Sequence, residues 1–209
     1  EPPRKEEATR FRKSLDEQGI PYIPLYKAID FKEGISDALK GVLEEALLDM
    51  GLLDALVLPS SYREKIAQLP IEGGDKFIVP DPQVMTYNLD QFLKVDELEL
   101  SGLSKEDVSS ALLSILIDSG TGTYIEETGF YGLGILKGKV STDYHPRYIG
   151  TAARKAYREE KINQLSEELA LLQNILQGYK DQLDLLTKDY DLLGTEFHGI
   201  PHQGDLMLA

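Results

Sequence analysis

The chain has 209 residues, room for one globular domain with helical arms rather than two full domains. Its 36 acidic against 22 basic residues, a net charge of −14, argue against a broad phosphate-binding surface. The absence of cysteine excludes disulfides and thiolate metal sites; with no apolar run of ~18 residues and no signal-peptide layout, the chain is expected to be soluble and cytoplasmic, with no membrane partner.

The first predicted element is a helix of about four turns from Arg4 to Gln18, in which Ala8, Phe11 and Leu15 repeat a three-then-four spacing. Gly19 and Pro21 stop it. Tyr22 to Tyr26 reads as a short strand, pushed to a sheet edge by Pro24. Ser36 is placed to N-cap a helix whose buried face is Leu39, Val42, Leu43, Ala46, Leu47 and Met50, with Gly51 as its stop. Leu52 to Leu58, apolar except at Asp54, fits a buried strand. A short helix should follow from Pro59 to Leu69, and a strand over Lys76–Val79 ends at Pro80 and Pro82. Ser104 opens a helix with Glu106 and Asp107 in its first turn and Val108, Leu112, Leu113, Ile115 and Leu116 on its buried side. Tyr124–Ile125 and Tyr131–Val140 look like hairpin strands around Glu127-Thr128-Gly129. The alternation of strands and helices indicates a small mixed α/β domain over residues 19–150.

The last quarter is patterned differently. Ile162, Leu165, Leu169, Leu172, Leu176, Tyr179, Leu183, Leu186, Tyr190 and Leu193 alternate spacings of three and four without a miss. A sustained 3.5-residue apolar period is the seam of a left-handed coiled coil, and residues 151–193 would form a rod of roughly 65 Å. Helix, globule and returning helix is the layout of a domain inserted between two arms of an antiparallel coiled coil: 1–18 the entering stub, 19–150 the globule, 151–194 the returning arm, and 195–209 a break or linker. Leu171, Ile175, Leu185 and Leu192 fall at c and g positions, and form either a second contact stripe or scattered exposed leucines. Gly178 at a c position is a candidate soft point, and Gly194, Gly199 and Pro201 are expected to interrupt the helix.

Tests for chemistry mostly fail. The run Gly132–Lys139 misses the spacing of a phosphate loop, since Val140 stands where Ser or Thr should reach magnesium, and it lies within strands. His198 and His202, with Glu196 and Asp205, have helical zinc spacing, but Gly199 and Pro201 break the helix between them. No catalytic, cofactor-binding or metal-binding residue is assigned, and no cofactor is expected; the chain is expected not to be an enzyme by itself. One charged cluster stands out: Lys137, Lys139, Arg147, Arg154, Lys155, Arg158 and Lys161 gather where the globule hands over to the long helix. It fits a local DNA contact at this neck, a solvated helix start, or pairing with acidic residues of the first helix such as Glu6, Glu7, Asp16 and Glu17.

Three blocks carry a family resemblance. Residues 19–31 (GIPYIPLYKAIDF), 43–57 (LEEALLDMGLLDALV) and 148–154 (YIGTAAR) resemble, in order, segments of the large SMC-like ATPase of bacterial Wadjet anti-plasmid systems, the JetC-type subunit related to MukB. The resemblance runs from about Gly19 into the long helix. It implies that the chain is the hinge, a dimerisation domain with stubs of both arms, while the ATPase heads lie outside it. It also implies a homodimer through the hinge, with DNA and other Wadjet subunits engaged by the full-length complex and weak or no direct DNA binding by this piece. The rival reading from another class is an acidic α/β protein-binding adaptor that homodimerises through its C-terminal coiled coil, with Phe11 and Leu15 as local packing. A small-molecule enzyme on the α/β core is a third class.

Overall fold

The computed structural model describes Pro2 and residues 4–63, 66–100 and 102–200. His202 and Asp205, and with them the proposed four-residue histidine pair, lie outside the described residues, as does Pro201. The chain divides into two compact units, Glu1–Tyr157 and Arg158–Ala209.

In the first unit the elements run α1 (Glu6–Glu17), β1 (Ile23–Pro24), α2 (Leu25–Ala28), β2 (Ile29–Phe31), α3 (Asp37–Asp49), β3 (Leu56–Val57), α4 (Ser60–Arg63), β4 (Leu93–Val95), α5 (Lys105–Leu113), β5 (Leu116–Ile117), β6 (Thr123–Ile125), β7 (Phe130–Leu133) and β8 (Leu136–Lys139). α6 (Thr151–His198) begins in this unit and continues through the second. The strands form two antiparallel pairs, β1–β3 and β2–β4, and one mixed sheet in the order β5-β6-β7-β8. Among these strand pairs only β5–β6 is parallel.

The helix starts follow the sequence signals. The Ser36 hydroxyl accepts from Leu39 N at 3.3 Å, and Ser104 forms a reciprocal capping box with Asp107. α3 buries Val42, Leu43, Ala46 and Leu47 in one core that also holds Val108, Ala111 and Leu112 of α5 and strand residues such as Val57 and Leu93. This is the mixed α/β domain that the alternation of patterns implies.

Strands are shorter than their apolar runs. Of residues 52–58 only Leu56–Val57 lies in a ladder, although the run sits between two backbone neighbours: Leu25 N donates to Ala55 O and Ile78 N to Leu56 O. Lys76–Val79 makes a single parallel bridge at Phe77 rather than a strand. Tyr22–Tyr26 splits after Pro24, where α2 starts. Tyr131–Val140 is two strands, because Gly134 adopts φ +60° and folds the chain into a tight turn.

α1 packs onto the globule through its apolar positions. Phe11 and Leu15 are buried in a second small core with Ile20, Leu56, Leu58 and Ile66. Three apolar residues at heptad spacing are equally the face of a surface helix docked on a globule, and the apolar 52–58 segment supplies that globule.

Candidate functional site

Two places combine specific chemistry with an exposed consequence: the segment through which the globule passes into α6, and the face of α6 beyond Tyr157.

Glu44 lies on the inner side of α3, between Leu43 and Ala46, and is fully buried. An isolated buried carboxylate is costly, so it must be met by donors. Those donors come from one segment about a hundred residues later. Tyr144 OH donates to Oε1 at 3.1 Å, Arg147 N to Oε1 at 2.6 Å, Tyr148 N to both oxygens at 3.0 and 3.2 Å, and Ile149 N to Oε2 at 2.7 Å. Burial pushes the Glu44 carboxyl above its ordinary value, and the four donors pull it back in part. The Tyr144 hydroxyl is pushed up by burial and by the Glu44 charge. Gly41, one turn before Glu44, has no room for a side chain because the Tyr144 carbonyl lies against it.

The segment then turns into α6 at Gly150. Its φ is +85°, and a Cβ there would collide with the Asp30 carboxylate. Arg154, on the first turn of α6, donates to Tyr26 O at 3.2 Å, Tyr148 O at 3.4 Å and Glu99 Oε1 at 3.3 Å. The Tyr26, Tyr148 and Tyr157 rings stack edge to face in series, with centroids 6.3 and 5.8 Å apart. Arg147 lies over the Tyr144 and Tyr157 rings at 5.2 and 5.4 Å. The beginning of α6 is therefore clamped by α2, α3 and the turn at Glu97–Glu99.

α1 has a polar clamp of its own. Arg12 is buried; its Nε donates to Asp75 at 2.6 Å, and its remaining nitrogens reach the Asp54 carboxylate and carbonyl at 2.7–3.2 Å. Arg4 makes a two-pronged contact with the same carboxylate, 2.9 Å to each oxygen.

In the second unit α6 is a single helix through Gly178 and Gly194 to His198. Gly194 does not end it: a glycine costs a helix about 1 kcal/mol, and the many good helix formers in a 48-residue run outweigh that. The chain turns off at Gly199, whose N–H still reaches the Thr195 and Glu196 carbonyls. The ten seam residues, from Ile162 to Leu193, are between 52 and 77 % exposed. The three-four alternation also continues one step past its expected end, to Phe197, which is on the helix and exposed. With Ile162 at a, Phe197 falls at a. Leu171, Ile175, Leu185 and Leu192 are exposed as well, widening the apolar arc on the d side of the seam.

The basic neck residues are divided by these findings. Arg147 and Arg154 come together around Tyr148 and Tyr157 and are committed to internal contacts. Lys137 and Lys139 lie on β8, where the Lys139 amine sits 4.8 Å from the Phe130 ring. Lys155 is on the first turns of α6, while Arg158 and Lys161 belong to the second unit. The acidic first helix has its own partners: Glu7 pairs with Arg10, Glu17 with Lys13, and Asp16 accepts from Tyr22. The glycines of the 132–139 run serve packing, with the Tyr124 ring over Gly132 and the Tyr131 ring over Gly138. Among the described residues no cluster of three or more His, Asp or Glu could hold a metal, and no helix is long and apolar enough to cross a membrane.

No protein-family model matches the chain, and no curated protein matches it. Among solved structures it is similar to the Pyrococcus furiosus Smc hinge domain with an extended coiled coil, with 16% sequence identity and a TM-score of 0.39 over 92% of this chain and 78% of that one.

Proposed function

We propose that the chain is a hinge-type dimerisation module of an SMC-like ATPase, a globule that joins two protomers and projects a coiled-coil arm. The observation that carries this reading is α6, whose first turns are clamped into the globule and whose remaining length presents an unbroken, uncovered heptad face. Apolar side chains on that scale are held in water only until a partner helix covers them, each burial being worth roughly 1.5–3 kcal/mol. On the resemblance of residues 19–31, 43–57 and 148–154, the finer assignment is the JetC-type, MukB-related subunit of a Wadjet anti-plasmid system. Under it the chain has no catalysis of its own; ATP hydrolysis, DNA and the other subunits belong to the complete complex.

A second reading, the adaptor that dimerises through α6, is favoured by one observation: Phe11 and Leu15 are used up in local packing and leave no entering arm in α1. The two differ in where the dimer contact lies. Light scattering on the full chain and on its Leu172→Asp/Leu186→Asp variant separates them. A dimer that survives breaking the seam has its contact in the globule, as a hinge requires. A dimer that dissolves has its contact on α6, and the hinge reading fails.

A further inference from the structure

We propose that two copies of the globule meet across one end of the β5-β6-β7-β8 sheet, about a two-fold axis that sets Asp118 and Glu127 of each copy against Lys137 and Lys139 of the other. The proposal rests on the hinge reading above, which requires a contact between globules, and it names the surface that makes that contact.

The register of the sheet fixes the layout. β7 and β8 pair Phe130 with Lys139 and Gly132 with Lys137. Residues directly opposite in a ladder share a face, so Phe130 and both lysines lie on the face opposite Tyr131, whose ring packs over Gly138 and into the core. At the other side of the sheet Tyr87 O accepts from Ile117 N, Asp118 follows β5 directly, and Glu127 lies in the turn between β6 and β7. Asp118 Oδ1 accepts from Glu127 N at 3.2 Å, and Tyr87 Oη donates to Glu127 Oε1 at 3.4 Å, so these three form one group. β5 and β8 are three strand spacings apart, roughly 14 Å, with Phe130 on a strand between them.

This end of the sheet is thus a row: an acidic flank with Tyr87, an apolar centre at Phe130, and a basic flank. Tyr87 and Phe130 are 48 and 46 % exposed, and the four charged residues are exposed. Among the described residues none of the four is held in an ion pair within its own copy; the Lys139 amine lies 4.8 Å over the Phe130 ring instead.

The row selects a second copy. A two-fold contact lays a patch on itself, so it attracts only when the patch is self-complementary. Turned half round, each flank lands on its opposite and the centre lands on itself. A net charge of −14 makes two copies repel on approach, so a contact between globules needs a place where bases meet acids. An acidic partner of another kind would engage the lysines alone, and a basic one the acids alone. A second copy uses both.

The test measures the dimer dissociation constant by analytical ultracentrifugation on the full chain carrying Leu172→Asp/Leu186→Asp, so that the α6 seam does not contribute. Asp118 is left unchanged, because its carboxylate holds Glu127 N. Glu127→Lys and Lys139→Glu each turn two attractions into repulsions, and each should raise the constant roughly tenfold. An equimolar mixture of the two should return it to near the parent value, because the reversed charges then face each other. A folding defect would not be repaired by mixing. Constants that stay at the parent value in both variants overturn the proposal, as does a loss that mixing does not restore; either leaves the hinge reading standing with its contact elsewhere. A seam variant that is monomeric before any charge is changed overturns the hinge reading itself, and the proposal with it.

Discussion

Glu44→Ala removes the one acceptor that holds residues 144–149 in place. Tyr148 N and Ile149 N are buried donors with no route to water while the segment keeps its position, and Tyr144 OH and Arg147 N are partly buried. An unsatisfied buried donor costs about 1–3 kcal/mol, so the two fully buried amides alone set a loss of about 2–6 kcal/mol, of which the relief of carboxylate desolvation returns a part. For a chain of this length 1 kcal/mol moves the midpoint by roughly 2–4 °C, so a net loss of about 3 kcal/mol lowers it by roughly 6–12 °C. Far-ultraviolet circular dichroism would be dominated by α6, whose helicity does not report on the neck. The chain has no tryptophan and 11 tyrosines, so the tyrosine signal in the near-ultraviolet is the assay, with Tyr144, Tyr148 and Tyr157 in the affected region. A loss below about 1 kcal/mol would mean that the segment reaches water without Glu44, and the clamp described for the start of α6 would be wrong.

Three further outcomes are expected. The carboxyl of Glu44 is raised in the folded chain, so its contribution is fully present below the unfolded carboxylate pKa and is lost as pH rises through the folded value. The stability gap between the parent chain and Glu44→Gln should therefore narrow from pH 4 towards neutrality; a gap that widens in melts across this range reverses the assigned direction. Gly150→Ala forces a side chain into a left-handed backbone and against Asp30, and should cost about 1–3 kcal/mol in denaturant titration, whereas Gly178→Ala, in open space on α6, should not destabilise. Arg12→Leu leaves the Asp54 and Asp75 carboxylates short of their cation and should cost about 3–5 kcal/mol; a neutral result would show that Arg4 and water replace it.

Features set by local chemistry were legible in the sequence. Ser36, Ser104 and Gly51 announce helix ends because a cap acts on the backbone next to it, and the α6 seam is legible because its period repeats within one element. Glu44 was not legible. Its partners are mostly main-chain N–H groups about a hundred residues away, and an amide donor leaves no mark in residue identity. The one hint is positional: Glu44 stands next to Leu43 and one turn from Leu47 on the face that α3 buries. Asp54 gave a clearer signal by interrupting the apolar run 52–58, which is where a buried arginine partner belongs. The packing of α1 on the globule was not legible because three apolar residues at heptad spacing do not distinguish a helical partner from a globular one.

The clamp at the start of α6 also has a mechanical meaning. Tyr26 and Glu99 both hold the Arg154 guanidinium, while Glu44 holds the main chain of residues 147–149. A pull on the helix therefore meets the Arg154 guanidinium first and the Glu44 carboxylate only behind it. Tension along the arm would reach the joint as two loads in series, the arginine fork first and the buried carboxylate after it.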